Sequence, residues 1–320
     1  MAIPPFPILF IGPADTRGAI MASGVLARLA DEIPGARFTL ILGKQAAPLF
    51  TALPGREETI ISESSKPPLT GVEKRREWGL IVDLRGTGLA AGLKRKRRAE
   101  LKVPGHVGAE AARLFDFDPP PPTRLWPVSA VDERAEQLAG GGAPVLAIAP
   151  TAEWLGKTWP IERYSLTAIQ LVSAGGPLAG GKLLVLNGGG DPRAADPLLK
   201  TLPADRTIDL TNETDLSLIE ACLRRCAAFI GGDVLAAHLA AAAGIPTLTL
   251  FGPSLEEQNA PIGPLARSLR GPRGFQEIKA ADPNLNQALC HMMDLTAEAV
   301  VAEAKALIAG EPSPNKESPE

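Results

Sequence analysis

The chain alternates, twice over, short apolar runs of strand length with stretches of helical period, and this constrains its fold more than any other feature. Strands separated by a helix pair most readily in parallel, and a parallel sheet needs helices to cover both of its faces. In the first pass, Pro7-Ile-Leu-Phe-Ile-Gly12 reads as a buried strand that ends at a glycine turn. Ile20, Met21, Val25, Leu26 and Leu29 then share one side of a helix, which Pro34-Gly35 ends. Arg37–Leu42, Thr59–Ile61 and Leu80–Asp83 supply further strands. In the second pass, Val145–Ala149, Leu183–Leu186, Ala228–Ile230 and Pro246–Phe251 are strands, with helices over Ile161–Ser173, Asp215–Cys226 and Ala236–Ala243. A last helical stripe runs from Thr296 to Ile308.

Between about Asp116 and Pro144 the rhythm stops, with Pro119–Pro122 at one end and Gly140-Gly-Gly-Ala-Pro144 at the other. Prolines and glycines at that density read as an interdomain connection. A chain of 320 residues also exceeds the comfortable size of one core. The expected division is residues 1–140, residues 141–310 and a disordered tail, EPSPNKESPE, over residues 311–320. Two such sheets joined by a connection form a cleft, with ligands at the carboxyl ends of the strands.

Composition narrows the function by exclusion. A formal net charge of −3 gives no reason to expect a nucleic-acid partner. Cys222, Cys226 and Cys290 are too few for a disulfide framework, and the first two read as buried small hydrophobes rather than metal ligands. The N-terminus lacks the basic start and the apolar length of a signal peptide. The longest apolar stretch, Ala236–Phe251, is broken by His238, Gly244 and Pro246, short of the about 20 apolar residues a spanning helix needs. These features point to a cytoplasmic protein, with a peripheral membrane contact left open.

The densest candidate site runs from Phe229 to Pro246. A strand ends at Gly231-Gly232, and Asp233-Val234-Leu235 leads into a helix that carries His238. Free N–H groups at a helix start at the mouth of a sheet attract anions such as phosphate. The plainer reading makes Asp233 a helix cap and His238 a packing residue. A second candidate is PTAEWLGKTWPIERY, residues 150–164, which offers the Thr151 hydroxyl and the mobile Lys157 ammonium. Asn187-Gly-Gly-Gly190 lacks the G-x-G-x-x-G spacing, and no G-x-x-x-x-G-K-[ST] occurs, which counts against a nicotinamide-dependent oxidoreductase and against a P-loop enzyme. The basic run Lys94–Arg98, just beyond Asp83-Leu-Arg-Gly-Thr-Gly88, reads as a solvated loop or as a surface for an anionic partner.

These motifs together resemble glycosyltransferase family 9, the ADP-heptose:lipopolysaccharide heptosyltransferases. The resemblance rests on PTAEWLGKTWPIERY, on GGDVLAAHLAAAAGIPTLTLFGPS and on the opening strand with SGVLARLADEIPGARFTLILG. It implies a GT-B fold, two Rossmann-like domains with parallel sheets facing across a cleft, the acceptor on the first and the sugar nucleotide on the second. It further implies inverting, metal-independent heptose transfer from an ADP-sugar to a lipid A–core acceptor, with no cofactor. Carried over residue by residue, Thr151, Lys157, Gly232, Asp233, Val234, Leu235 and His238 would hold the donor, and Arg17, Gly18 and Arg85 would lie on the acceptor side. Two positions depart from the family pattern. Gly18 stands where the family has its base aspartate, leaving Asp15 as the nearby carboxylate, and Asp233-Val-Leu replaces Asp-Ser/Thr-Gly. A non-catalytic binding or scaffolding relative is therefore the alternative expectation.

Overall fold

A computed structural model describes residues 3–69, 71–102 and 105–314 and divides the chain into two units, residues 1–128 and 129–320. The first unit contains β1 (Phe6–Ile11), α1 (Thr16–Met21), α2 (Ser23–Glu32), β2 (Ala36–Leu42), β3 (Arg56–Ile61), α3 (Gly71–Arg75), β4 (Trp78–Asp83), β5 (Arg95–Glu100) and α4 (Val107–Arg113). Its five strands are ordered β3-β2-β1-β4-β5 and all pair in parallel. Continuous apolar sequence explains the central position of β1 and β4, because Ile8–Ile11 and Trp78–Asp83 are buried.

The second unit contains α5 (Ser129–Ala139), β6 (Val145–Ala149), α6 (Ile161–Val172), β7 (Lys182–Leu186), α7 (Asp196–Leu199), β8 (Thr207–Leu210), α8 (Leu216–Leu223) and β9 (Ala228–Gly232). It continues with α9 (Leu235–Ala242), β10 (Thr247–Phe251), α10 (Glu256–Asn259), β11 (Ala266–Arg270), α11 (Phe275–Ala281) and α12 (Ala297–Ala309). Six parallel strands run in the order β11-β10-β9-β6-β7-β8. Trp159 and Tyr164 anchor one layer of the core, edge to face at 4.8 Å, and Trp159 Nε1 donates to the Leu295 carbonyl at 2.9 Å. Burial holds the Tyr164 hydroxyl protonated far above its ordinary range.

The division falls at Val128–Ser129, ahead of the glycine run. Beyond the four prolines the chain packs on the first unit: the Arg124 N–H donates to Ser23 Oγ at 3.0 Å, and Thr123, Leu125 and Trp126 are buried. α5 belongs to the second unit because Arg225 bonds Asp132 Oδ1 and Glu136 Oε2, each at 2.8 Å. The basic run is not a loop. Arg95–Arg98 lie in β5, the edge strand of the first sheet. Of the tail expected to be disordered, Glu311 accepts from Arg267, and Ser313 Oγ donates to Glu303 Oε2 at 2.6 Å. Residues 315–320 of that tail lie outside the described residues. No helix among the described residues is long and apolar enough to cross a membrane.

Candidate active site

In the second sheet the chain moves outward from β6 through β7 to β8, then returns to β9 and moves the other way to β11. The strand order reverses between β6 and β9, where Ala149 pairs with Gly231, and loops diverging there open a crevice for ligands. Both candidate motifs follow these two strands. After β6 the chain passes Thr151 and makes a tight turn over Leu155–Lys157. After β9, Asp233 and Val234 lead into α9.

Lys157 Nζ stands 3.2 Å from Asp233 Oδ2 and 3.4 Å from Glu153 Oε2. The Lys157 side chain is 12% exposed and that of Asp233 3%. A nearly buried carboxylate beside a nearly buried ammonium fixes the cation at the crevice rather than letting it sweep through solvent. Asp233 is not the helix cap. Val234 takes that position, with no side-chain capping bond. Helix geometry leaves the N–H groups of Leu235 and Ala236 without intrahelical acceptors, at the positive end of α9. His238 lies on the buried side of α9, and Leu235 is half-buried at its start.

The Thr151 hydroxyl is committed within the protein. It donates to Asn187 Oδ1 at 2.7 Å and accepts from the Gly188 N–H at 2.8 Å, while Asn187 Oδ1 also accepts from the Gly189 N–H. A Cβ on Gly188 would stand 2.0 Å from the Thr151 carbonyl and 3.0 Å from Val234 Cγ1. The glycine-rich strand end therefore closes onto the Thr151 loop, and Val234 packs into the junction. Asn187 is a site-building residue that spacing rules miss, since its role appears only once β6 and β7 are adjacent.

The segment after α11 braces the Lys157 turn. The His291 N–H donates to the Gly156 carbonyl at 3.2 Å, Cys290 Sγ to the Thr158 carbonyl at 3.2 Å, and Arg163 Nη1 to the Met293 carbonyl at 2.8 Å. Arg270 holds the Phe251–Ser254 turn through the carbonyls of Gly252 and Ser254.

The first sheet reverses between β1 and β4. Asp15 caps α1, its Oδ1 accepting from the Gly18 N–H at 2.8 Å. A Cβ on Gly18 would stand 2.7 Å from Pro13 Cβ and 2.9 Å from Asp15 Oδ2. Pro13 and the Asp15 carboxylate together thus crowd the space a residue-18 Cβ would need. Arg17 is half-buried on α1. Arg85 ties three segments together, with Nε donating to the Gly12 carbonyl at 3.0 Å and Nη1 to the carbonyls of Ser62 and Ser64 at 2.8 and 2.9 Å. Burial lowers the Arg85 pKa, against the pull of Asp83 and Glu63. Asp83, fully buried, accepts from the Arg85 N–H, the Thr87 hydroxyl and the Gly88 N–H, and so shapes the loop after β4. Among the described residues, no group of three or more His, Cys, Asp or Glu is placed to hold a metal ion.

Two doubly wound parallel-sheet units are the GT-B glycosyltransferase fold. Residues 106–288 match the family model "Glycosyltransferase family 9 (heptosyltransferase)", and the chain belongs to that family. It is 27% identical over 255 residues to lipopolysaccharide heptosyltransferase 2 of Escherichia coli K12, covering 76% of this chain and 69% of the relative. With the Salmonella typhimurium protein of the same name it shares 27% over 203 residues, 60% of this chain and 56% of that one, so the match spans little more than half of that relative. The solved structure of E. coli ADP-heptose lps heptosyltransferase II superposes with a TM-score of 0.69 at 21% identity, covering 95% of this chain and 99% of that one.

Proposed function

We propose that this chain transfers a heptose, or a related sugar, from an ADP-sugar to a lipopolysaccharide-core acceptor, with inversion at the anomeric carbon and without a metal ion. The observation that carries this reading is the Lys157 ammonium, held against Asp233 at the strand-order reversal of the second sheet. The donor named for the E. coli structure and the acceptor named for the curated relatives supply the substrate class.

In this reaction the acceptor hydroxyl attacks the anomeric carbon as its bond to the β-phosphate oxygen breaks. The hydroxyl proton passes to a carboxylate base, and ADP leaves with the electron pair. Lys157 and the free N–H groups at the start of α9 offset the charge that grows on the leaving diphosphate. Asp15 is the base in this reading, because its Oδ2 lies 2.9 Å from where a Cβ at residue 18, the position the family pattern assigns to that role, would stand. Arg85 and Arg17 lie on the acceptor side. An acceptor anchored in lipid puts the reaction at the cytoplasmic face of the inner membrane.

Calorimetric titration with ADP and with an ADP-sugar, magnesium absent, tests the donor site. Binding near about micromolar Kd, lost in Lys157→Ala, is the expected result. No heat at millimolar ligand would overturn the ADP-donor reading. A second reading, a catalytically impaired relative that binds or scaffolds in envelope glycan synthesis, draws on two observations. Asp15 already spends one carboxylate oxygen capping α1, and Val234-Leu235 stands where the family pattern has a hydroxyl and a glycine. Donor binding with no turnover on any core acceptor would favour it.

A further inference from the structure

Lys157 has a second carboxylate besides Asp233, and the two differ in their freedom to leave. The ammonium stands 3.2 Å from Asp233 Oδ2 and 3.4 Å from Glu153 Oε2. One ammonium between two carboxylates sums to a single negative charge, the wrong sign for a site that takes a diphosphate. An anion is therefore accepted only when one carboxylate gives way. Asp233 is 3% exposed and follows directly on β9, so it stays. The Glu153 side chain is 53% exposed, and rotation about its own bonds takes the carboxylate away from Lys157 into solvent.

The rest of Glu153 is anchored. A Cβ on Gly189 would stand 2.9 Å from the Glu153 nitrogen and 3.2 Å from Glu153 Cγ. The backbone and stem of Glu153 thus lie against the glycine-rich end of β7, where Gly189 has φ +138°, a conformation other residues rarely adopt. The residue remains at the crevice whether or not its carboxylate touches Lys157. A half-exposed ion pair is weak, whereas a terminal phosphate offers the same ammonium more charge and several oxygens. The exchange accordingly runs toward the ligand. It also has to run back. Once the sugar has left, the terminal phosphate of ADP carries one negative charge more than it did in the donor. A buried cation with no competing carboxylate would then hold the product more tightly than the substrate.

We propose that Glu153 is a displaceable counter-ion of the donor site. It covers Lys157 in the empty crevice, yields to the diphosphate of the donor, and reclaims the ammonium as ADP leaves. This deepens the donor reading and rests on it.

The test is calorimetric titration of the full chain and of Glu153→Gln with ADP and with adenosine, magnesium absent. Glutamine keeps the size of the side chain and removes its charge. The variant should bind ADP roughly 5-fold more tightly, the upper end for a half-exposed pair, with adenosine binding unchanged. The difference narrows as salt rises, because exposed charges are screened. Glu153→Ala, which also removes the amide oxygen that could still face Lys157, should shift ADP in the same direction. In a transferase assay KM for the donor falls by a similar factor and kcat does not rise, since tighter ADP leaves more slowly. A residue that merely shaped the turn has the opposite sign, its loss loosening Lys157 and weakening ADP. ADP affinity unchanged or lowered in a folded variant, or a gain shared by adenosine, overturns the inference and leaves the donor reading standing. No ADP binding by either protein overturns both.

Discussion

The strand-order reversals of the two sheets carry the same kind of loop and stabilise opposite arrangements. In the second unit the charged group is a cation set deep: Lys157 is nearly buried, paired with Asp233, and its turn is held by the His291 N–H and the Cys290 thiol, which donate to the Gly156 and Thr158 carbonyls. In the first unit the charged group is a carboxylate on an exposed turn, and the residue beneath it, Gly18, has no side chain. One site has its charge fixed by burial and pairing. The other, on the proposed reading, carries its base three residues earlier in the chain, beside the same space. A phosphate site needs a cation that is in place before the ligand arrives, since preorganised charge is what favours the transition state. A base needs only to reach a hydroxyl, so its position tolerates such an offset if the carboxylate arrives at the right place.

The largest expected effect falls on the exposed carboxylate. Asp15→Asn keeps a helix cap, because asparagine caps as well as aspartate. Turnover should nevertheless fall by about 10²–10⁴-fold with ADP binding unchanged. Equal turnover in a transferase assay would remove Asp15 from the chemistry and break the comparison. Next comes Lys157→Ala, with an expected loss of about 10²–10³-fold in kcat/KM for the donor. It also strips a partner from the carboxylate of Asp233, and losing half of a buried pair destabilises by about 3–5 kcal/mol. Lys157→Met with Asp233→Leu separates the two effects: a recovered Tm with donor binding still absent assigns the cation to the ligand rather than to the fold.

Placing a carboxylate at position 18 sharpens the contrast. Gly18→Asp forces a Cβ into Pro13 and Asp15, an overpacking that costs about 1–3 kcal/mol, and sets two carboxylates together. In the double variant Asp15→Gly with Gly18→Asp the like-charge contact is gone. If the space is what matters, the double variant has more turnover than Asp15→Gly alone.

Much of this was legible in the sequence, for reasons that differ by element. β1, β4, β6 and β9 are continuous apolar runs because both their faces are covered, and such runs announce themselves. β5 could not be read that way. RKRRAE has the composition of a loop, and only its pairing with β4 makes it a strand. β8 and β11, the edges of the second sheet, escape for the same reason, being short and partly exposed. Lys157 and Asp233 were visible as motif residues, but their pairing across 76 positions depends on β6 and β9 being neighbours. The proline run looked like a linker because proline breaks regular structure, yet Ser23 supplies an acceptor that draws the chain beyond it back onto the first unit.

Thr151 gives the smallest effect and the cleanest separation of building a site from contacting a ligand. Its position at the end of β6 suggested a donor to phosphate, whereas its hydroxyl spans two strand ends, giving its proton to Asn187 and receiving that of Gly188. Thr151→Val preserves shape and leaves the Gly188 N–H without its acceptor, which costs about 1–3 kcal/mol of stability, read as a lower Tm. Asn187 Oδ1 retains the Gly189 N–H, so the loop loosens rather than detaches. Thr151→Ser keeps the hydroxyl and should recover most of the loss. If the residue only builds the loop, ADP affinity in both variants follows Tm. A Thr151→Val protein with native Tm and weakened ADP binding would instead put the hydroxyl in contact with the donor, and the second unit's site would then include a neutral donor beside its buried cation.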